Sequence, residues 1–175
     1  MQTGACLCAK LLHLDACGWL LLAGYDNGTV SVFHIDMEKI NVKEMLSIQV
    51  FAETILCIDA VQFGDALHLV CGGPASEVKL VQLMSSEGFC KVSSIVHAPL
   101  GHAGAASVSM TDQLMVVGGW DTSLSVFTSD SLSEITRLGG HSDTVNQVQV
   151  VEFGRGLQSS VRPSLRYNEL CITAS

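Results

Sequence analysis

The chain has 175 residues, 48% of them hydrophobic and only 15% charged, with a formal net charge of −8. That length suits one domain or part of one, and so acidic a balance excludes a general nucleic-acid binder, which needs a basic face to neutralise phosphates. The stretch 92–111 is uncharged but broken by Pro99, Gly101 and Gly104, and no basic region precedes the first apolar run, so neither a membrane helix nor a signal peptide is expected.

Short apolar runs separated by turn residues point to an all-β fold. The first unit has strands at 5–14, 19–24 and 29–35, with Cys17-Gly18 and Asn27-Gly28 as turns. Asn-Gly between two apolar strands is the signature of a type I′ hairpin turn and outweighs the glycosylation sequon Asn27-Gly28-Thr29. A charged connection at 36–43 leads to an outer strand at 45–51. The second unit has strands at 55–63, 67–71, 78–84 and 89–96, and Gly72-Gly73-Pro74 interrupts it. The third has strands at 105–110, 113–117, 124–127 and 134–138. A fourth opens with Gly140-His141 and the run 145–153, passes through an insertion at 154–168, and reaches a second strand at 170–175.

Two stretches share one grammar. Gly24-Tyr25-Asp26-Asn27-Gly28-Thr29-Val30-Ser31-Val32-Phe33 matches Gly118-Gly119-Trp120-Asp121-Thr122-Ser123-Leu124-Ser125-Val126-Phe127, and the turn aspartates Asp26 and Asp121 lie about 95 residues apart, with room for one more unit between. A repeat of about 45 to 50 residues with Gly-His corners is the pattern of a WD40-type β-propeller. About three and a half four-stranded blades are expected, at about 5–53, 55–97, 101–139 and an incomplete 141–175. Blades sandwiched between neighbours explain why the inner strands are continuously apolar. A partial ring leaves two apolar sheet faces uncovered, so the isolated chain is expected to be unstable or to associate, or else to lack blades supplied by a longer protein.

Seven cysteines, an odd number with no Cys-x-x-Cys pair, do not form a zinc or disulfide framework. Cys8, Cys57, Cys71 and Cys171 fall in or beside apolar runs and read as core thiols in a reducing compartment, the cytoplasm or nucleus. His68, inside an apolar strand, reads as a satisfied core or edge histidine. There is no nucleophile elbow, Walker loop, dinucleotide fingerprint or His-Glu-x-x-His motif, so no catalytic residue, cofactor or metal ligand is expected. The polar corner residues His102, Asp121, His141 and Asp26 read as structural, since buried polar groups in blades are held by mutual hydrogen bonds. Tyr25 and Trp120, each between Gly and Asp, read as equivalent rim aromatics and candidate partner anchors. Arg155, Arg162 and Arg166, a third of the nine basic residues, are a second candidate contact, for an acidic partner.

The run Leu20-Leu21-Leu22-Ala23-Gly24-Tyr25-Asp26-Asn27-Gly28-Thr29-Val30, then Val117-Gly118-Gly119-Trp120-Asp121 with Leu124-Ser125-Val126-Phe127, then a last repeat opening on His141 and Val145, resembles the C-terminal half of the guanine nucleotide-binding protein beta-subunit-like protein one family, whose fungal relatives are ASTRA-associated WD-repeat proteins. The resemblance implies a non-catalytic scaffold that binds proteins, an adaptor in the assembly or stability of phosphatidylinositol-3-kinase-related kinases alongside the Tel2-Tti1-Tti2 adaptor and RuvB-like ATPases. It implies neither nucleic-acid nor membrane binding. The alternatives are a G-protein β-like signalling propeller and a ubiquitin-ligase substrate adaptor.

Overall fold

The computed structural model describes residues 4–14, 18–86, 89–101, 104–152 and 169–174. They form fourteen strands and no helix. The first sheet contains β1 (Cys6–Leu14), β2 (Gly18–Tyr25), β3 (Thr29–Asp36) and β4 (Asn41–Gln49). The second contains β5 (Cys57–Phe63), β6 (Ala66–Gly72), β7 (Glu77–Ser86) and β8 (Phe89–Pro99). The third contains β9 (Ala105–Met110), β10 (Leu114–Gly119), β11 (Leu124–Thr128) and β12 (Glu134–Leu138). β13 (Gln147–Glu152) and β14 (Glu169–Ala174) make a two-stranded fourth sheet. Every sheet is antiparallel with its strands in chain order, so each connection is a local hairpin.

The burial of each strand follows from its place in its sheet. β6 and β10 sit between two strands and two sheets, and their residues are buried on both faces almost without interruption. β12 lies on the outside and all five of its residues are exposed. The same position explains where apolar pattern misplaces β4. It begins at Asn41, four residues before the expected start, because Asp36 pairs with Asn41 and only Met37 to Ile40 turn. Ladder hydrogen bonds hold an outer strand whether or not its side chains alternate, and Val42, Lys43 and Glu44 are all exposed.

The first strands β1, β5, β9 and β13 lie side by side, and a core fills the space between each sheet and the next. Leu22, Ile55, Leu69 and Val81 belong to the first of these cores, Val70, Leu80, Met115 and Phe127 to the second, and Val116, Val145 and Val148 to the third. Burying a large aliphatic side chain contributes about 1.5–3 kcal/mol, so these interfaces account for most of what holds the sheets together.

Backbone bonds stitch the same seams. The N–H of Ile55 donates to the Tyr25 carbonyl at 3.0 Å, that of Ala105 to Gly73 at 2.8 Å, and that of Val145 to Gly119 at 3.1 Å. Two residues beyond Ala105, Ser107 Oγ donates to the Val145 carbonyl at 2.7 Å. Thiols hold this place in the earlier sheets, where Cys8 Sγ approaches the Ile55 carbonyl at 3.7 Å and Cys57 Sγ the Ala105 carbonyl at 3.9 Å. The strands approach this closely because Gly24, Gly72 and Gly118 lie opposite these side chains, where a Cβ would collide with Cys8 and Ile55, with Ala105, or with Ser107 and Val145. Cys57 and Cys71 are buried and Cys8 half-buried, in keeping with core thiols, whereas Cys6 is exposed. Burial pushes the Cys8 thiol up to about 11 and that of Cys57 to about 12, so both stay protonated.

Candidate functional site

The turns joining the second and third strands of the first three sheets stand at one end of the stack and carry the rim residues singled out above. In the first sheet the Tyr25 carbonyl accepts from Gly28 N–H at 3.1 Å as well as from Ile55. The exposed Asp26 exchanges two bonds with Ala5: its N–H donates to the Ala5 carbonyl and its Oδ1 accepts from Ala5 N–H, both at 3.0 Å. Asn27 Oδ1 accepts from Thr29 N–H at 3.1 Å, and Gly28 has φ 79°. Its carbonyl accepts from Val50 and Phe51 at 3.0 and 3.1 Å.

This corrects the type I′ expectation. Such a turn needs positive φ at both central residues, but Gly28 alone has it, and the last ladder pair is Gly24 with Val30, with five residues between them. The Asn27 side chain bonds the backbone two residues on, which lets the loop be longer than the dipeptide suggests.

The third sheet repeats this loop between the paired residues Gly118 and Leu124. Gly119 gives its carbonyl to Val145, Trp120 N–H donates to the Gly104 carbonyl at 3.1 Å, and Thr122 has φ 68°. Asp121 Oδ1 accepts from Ser123 N–H at 3.2 Å and from Ser123 Oγ at 2.6 Å. The hydroxyl bond, aided by the backbone one, holds the Asp121 carboxyl below its ordinary value.

Matched bond for bond, Tyr25 corresponds to Gly119, Asp26 to Trp120, Asn27 to Asp121 and Gly28 to Thr122. Pairing Tyr25 with Trp120 and Asp26 with Asp121 by residue type is therefore one residue out of register. The turn requires an Oδ1 that accepts from the N–H two residues on, and Asn and Asp supply that atom equally well. In the second sheet Gly73 and Ser76 offer the corresponding carbonyls, to Ala105 and Leu100. Pro74 stands where Asp26 and Trp120 donate, and proline has no N–H to give.

The two aromatics consequently differ. Tyr25 ends β2 half-buried, while Trp120 is 42% exposed on a backbone pinned on both sides. Beside the Asp121 turn lies a cavity of about 10 Å³ bordered by Gly104, Gly119, Ser123 and Ser125, room for one water molecule. His141 is half-buried and engaged with its surroundings. His102, Arg155, Arg162 and Arg166 lie outside the described residues.

Sequence reasoning missed the cations at the seams. Lys79 Nζ donates to the Val50 carbonyl at 2.9 Å, lies 4.5 Å from the Phe51 ring centroid and pairs with Glu77 at 3.2 Å. Arg137 Nη2 donates to the Leu100 carbonyl at 2.9 Å. Val50 and Leu100 hold equivalent places after the fourth strands of their sheets, so each is met by a cation from the next sheet. Only a three-dimensional match could have found this, since Lys79 and Arg137 sit on different strands of their own sheets.

Asp59 is one of the few charged residues on the first strands. It is buried, its Oδ1 bonds Lys10 Nζ at 2.7 Å and Ala60 N–H at 2.9 Å, and its Oδ2 accepts from Met110 N–H at 2.8 Å. One carboxylate thus ties together the first strands of three sheets. His68 packs inside its strand, stacked on Phe63 with centroids 4.9 Å apart, and its Nδ1 has no partner among the described residues. Burial lowers its pKa, against opposing contributions from the Ser129 backbone and Asp130.

Among the described residues no group of three or more His, Cys, Asp or Glu side chains converges to hold a metal, and no helix is long and apolar enough to cross a membrane. The chain matches no protein-family model and no curated protein.

Proposed function

We propose that this chain is part of a WD40-type β-propeller, with blades at about 5–53, 55–97, 101–139 and an incomplete 141–175, and that it works as a non-catalytic adaptor for protein partners. The repeated seam supports the propeller reading, because three successive seams between four sheets use the same backbone bond and a small donor side chain, Cys8, Cys57 or Ser107, at the same place. The observation that carries the adaptor reading is Trp120. A large aromatic exposed on a turn held by backbone bonds on both sides loses little entropy on docking, which is the character of an interface anchor. The family resemblance supplies the partner class, the assembly machinery of phosphatidylinositol-3-kinase-related kinases with its Tel2-Tti1-Tti2 and RuvB-like components, in the cytoplasm or nucleus.

Affinity co-purification from cells with quantitative mass spectrometry tests this. Trp120→Ala is expected to lower partner recovery at least tenfold, a loss of about 1.4 kcal/mol, while the thermal transition stays in place. Tyr25→Ala is expected to act chiefly on stability. Unchanged recovery with Trp120→Ala would remove the rim as the binding face.

A further inference from the structure

The interface between successive sheets has a direction. Each first strand sends side chains forward: Cys8, Cys57 and Ser107 toward the carbonyls of Ile55, Ala105 and Val145, and two residues further Asp59 and Ser109 toward the N–H groups of Met110 and Val150. The next first strand receives them on its backbone. In the first sheet Cys6 and Leu11 occupy the receiving places that Ile55 and Ala60 hold in the second.

No described residue covers that receiving face. Along β1 the side chains alternate, with Cys8, Lys10, Leu12 and Leu14 turned toward the second sheet and Leu7, Ala9, Leu11 and His13 exposed. Leu11 pairs with Leu21 and Leu21 with Phe33, while Trp19 pairs with Ile35 and Ile35 with Val42, so one apolar row runs from β1 to β3 and another from β2 to β4 on the open face. Leu7, Leu11, Trp19 and Val42 are exposed by 48, 51, 38 and 57%.

At the opposite end of the stack, β13 carries the forward places. In β13, Val148 and Val150 turn into the third core, while Gln147 and Gln149 are exposed in the places of Ser107 and Ser109. A glutamine amide holds donor and acceptor in one side chain. Gln147 is thereby equipped to donate to a carbonyl at Cys6, and Gln149 to accept from the N–H of Leu11.

We infer that the chain associates with a second copy of itself head to tail, the forward face of one fourth sheet seating on the open face of the other copy's first sheet. Among the described residues, β1 carries the receiving places and β13 the forward places of a backbone contact that the molecule already makes three times internally. Such a contact is heterologous, so each face can be blocked separately. The inference rests on the seam geometry and is independent of the adaptor reading.

The test is sedimentation velocity on the full chain over roughly a hundredfold range of concentration, with circular dichroism as the check on fold. The parent chain is expected to associate with rising concentration. Leu11→Lys blocks one face and Gln149→Lys the other, and each variant alone is expected to remain monomeric. Mixed together, they are expected to form a heterodimer and stop there, because one intact face of each kind remains. Should Leu11→Lys fail to fold, Leu7→Lys challenges the same face from a side chain the core does not use. A monomeric parent chain, variants that associate as the parent does, or variants that ignore each other on mixing would each overturn the inference.

Discussion

The seam between the first and second sheets and the seam between the third and fourth use the same positions with opposite chemistry. In the later seam Ser107 donates and Ser109 accepts, each hydroxyl making one bond to the facing backbone. In the earlier seam the places belong to Cys8 and Lys10. A thiol is the weaker donor, and an ammonium has no lone pair with which to accept. Lys10 therefore cannot take the N–H of Ala60, the counterpart of Val150. Asp59 takes it instead, and the same carboxylate neutralises Lys10 while also bonding Met110. The comparison teaches that the seam conserves a set of satisfied backbone groups rather than a set of residue types.

The largest effect should come from removing Asp59. Asp59→Ala leaves the N–H groups of Ala60 and Met110 without their partner and a lysine without its counter-charge. Breaking a buried pair costs about 3–5 kcal/mol, and the 43% exposure of the Lys10 side chain draws the expectation toward the lower end, roughly 3 kcal/mol. The urea midpoint measures it. Lys10→Met should cost far less, and equal losses for the two variants would mean that the ion pair, not the backbone bonds, holds the seam.

Next in size is the contrast between hydroxyl and thiol. Ser107→Ala leaves the Val145 carbonyl unmatched in a buried seam and should cost about 1–2 kcal/mol. Cys57→Ala forfeits only a long sulfur contact and a little buried surface, and should cost under about 1 kcal/mol. Denaturant titrations of both variants under one set of conditions decide the order. A greater loss from Cys57→Ala would show that packing volume at this place outweighs the hydrogen bond.

The smallest effect belongs to Thr122 in its turn. Gly28 and Thr122 fill the same left-handed position, which a β-branched side chain adopts under strain. Thr122→Gly should raise stability by about 0.5–1 kcal/mol despite the added freedom of the unfolded chain. The reverse change at Gly28, to Ala, should lower it, since a Cβ there meets the carbonyls of Phe51 and Glu53. The thermal midpoint follows both. Destabilisation by Thr122→Gly would undo the register that aligns Asp121 with Asn27.

The inner strands were legible in the sequence because a strand covered on both faces must be apolar at nearly every position, as β6 and β10 are. The outer strands were less so: β4 starts early and β8 runs on to Pro99, since solvent on their outer side removes the pressure for a pattern. At the candidate site, the turns and their exposed tryptophan were visible as Gly-rich breaks. Their register was not, because Asn27 and Asp121 do the same work under different names while Asp26 looks like the better match.

Lys79, Arg137 and Asp59 had no local signal at all. Each acts on a backbone group of another sheet, dozens of residues away in the chain. The strands, their hairpin order and the small residues at the seams follow from the chain's residues alone, because they depend on side-chain period and on neighbours close along the chain. Which carbonyl each cation meets, which strand borrows the carboxylate of Asp59, and which face of the first sheet stays open among the described residues are settled only by the packing of sheet on sheet. Those outcomes depend on which backbone groups remain unsatisfied once whole sheets have come together.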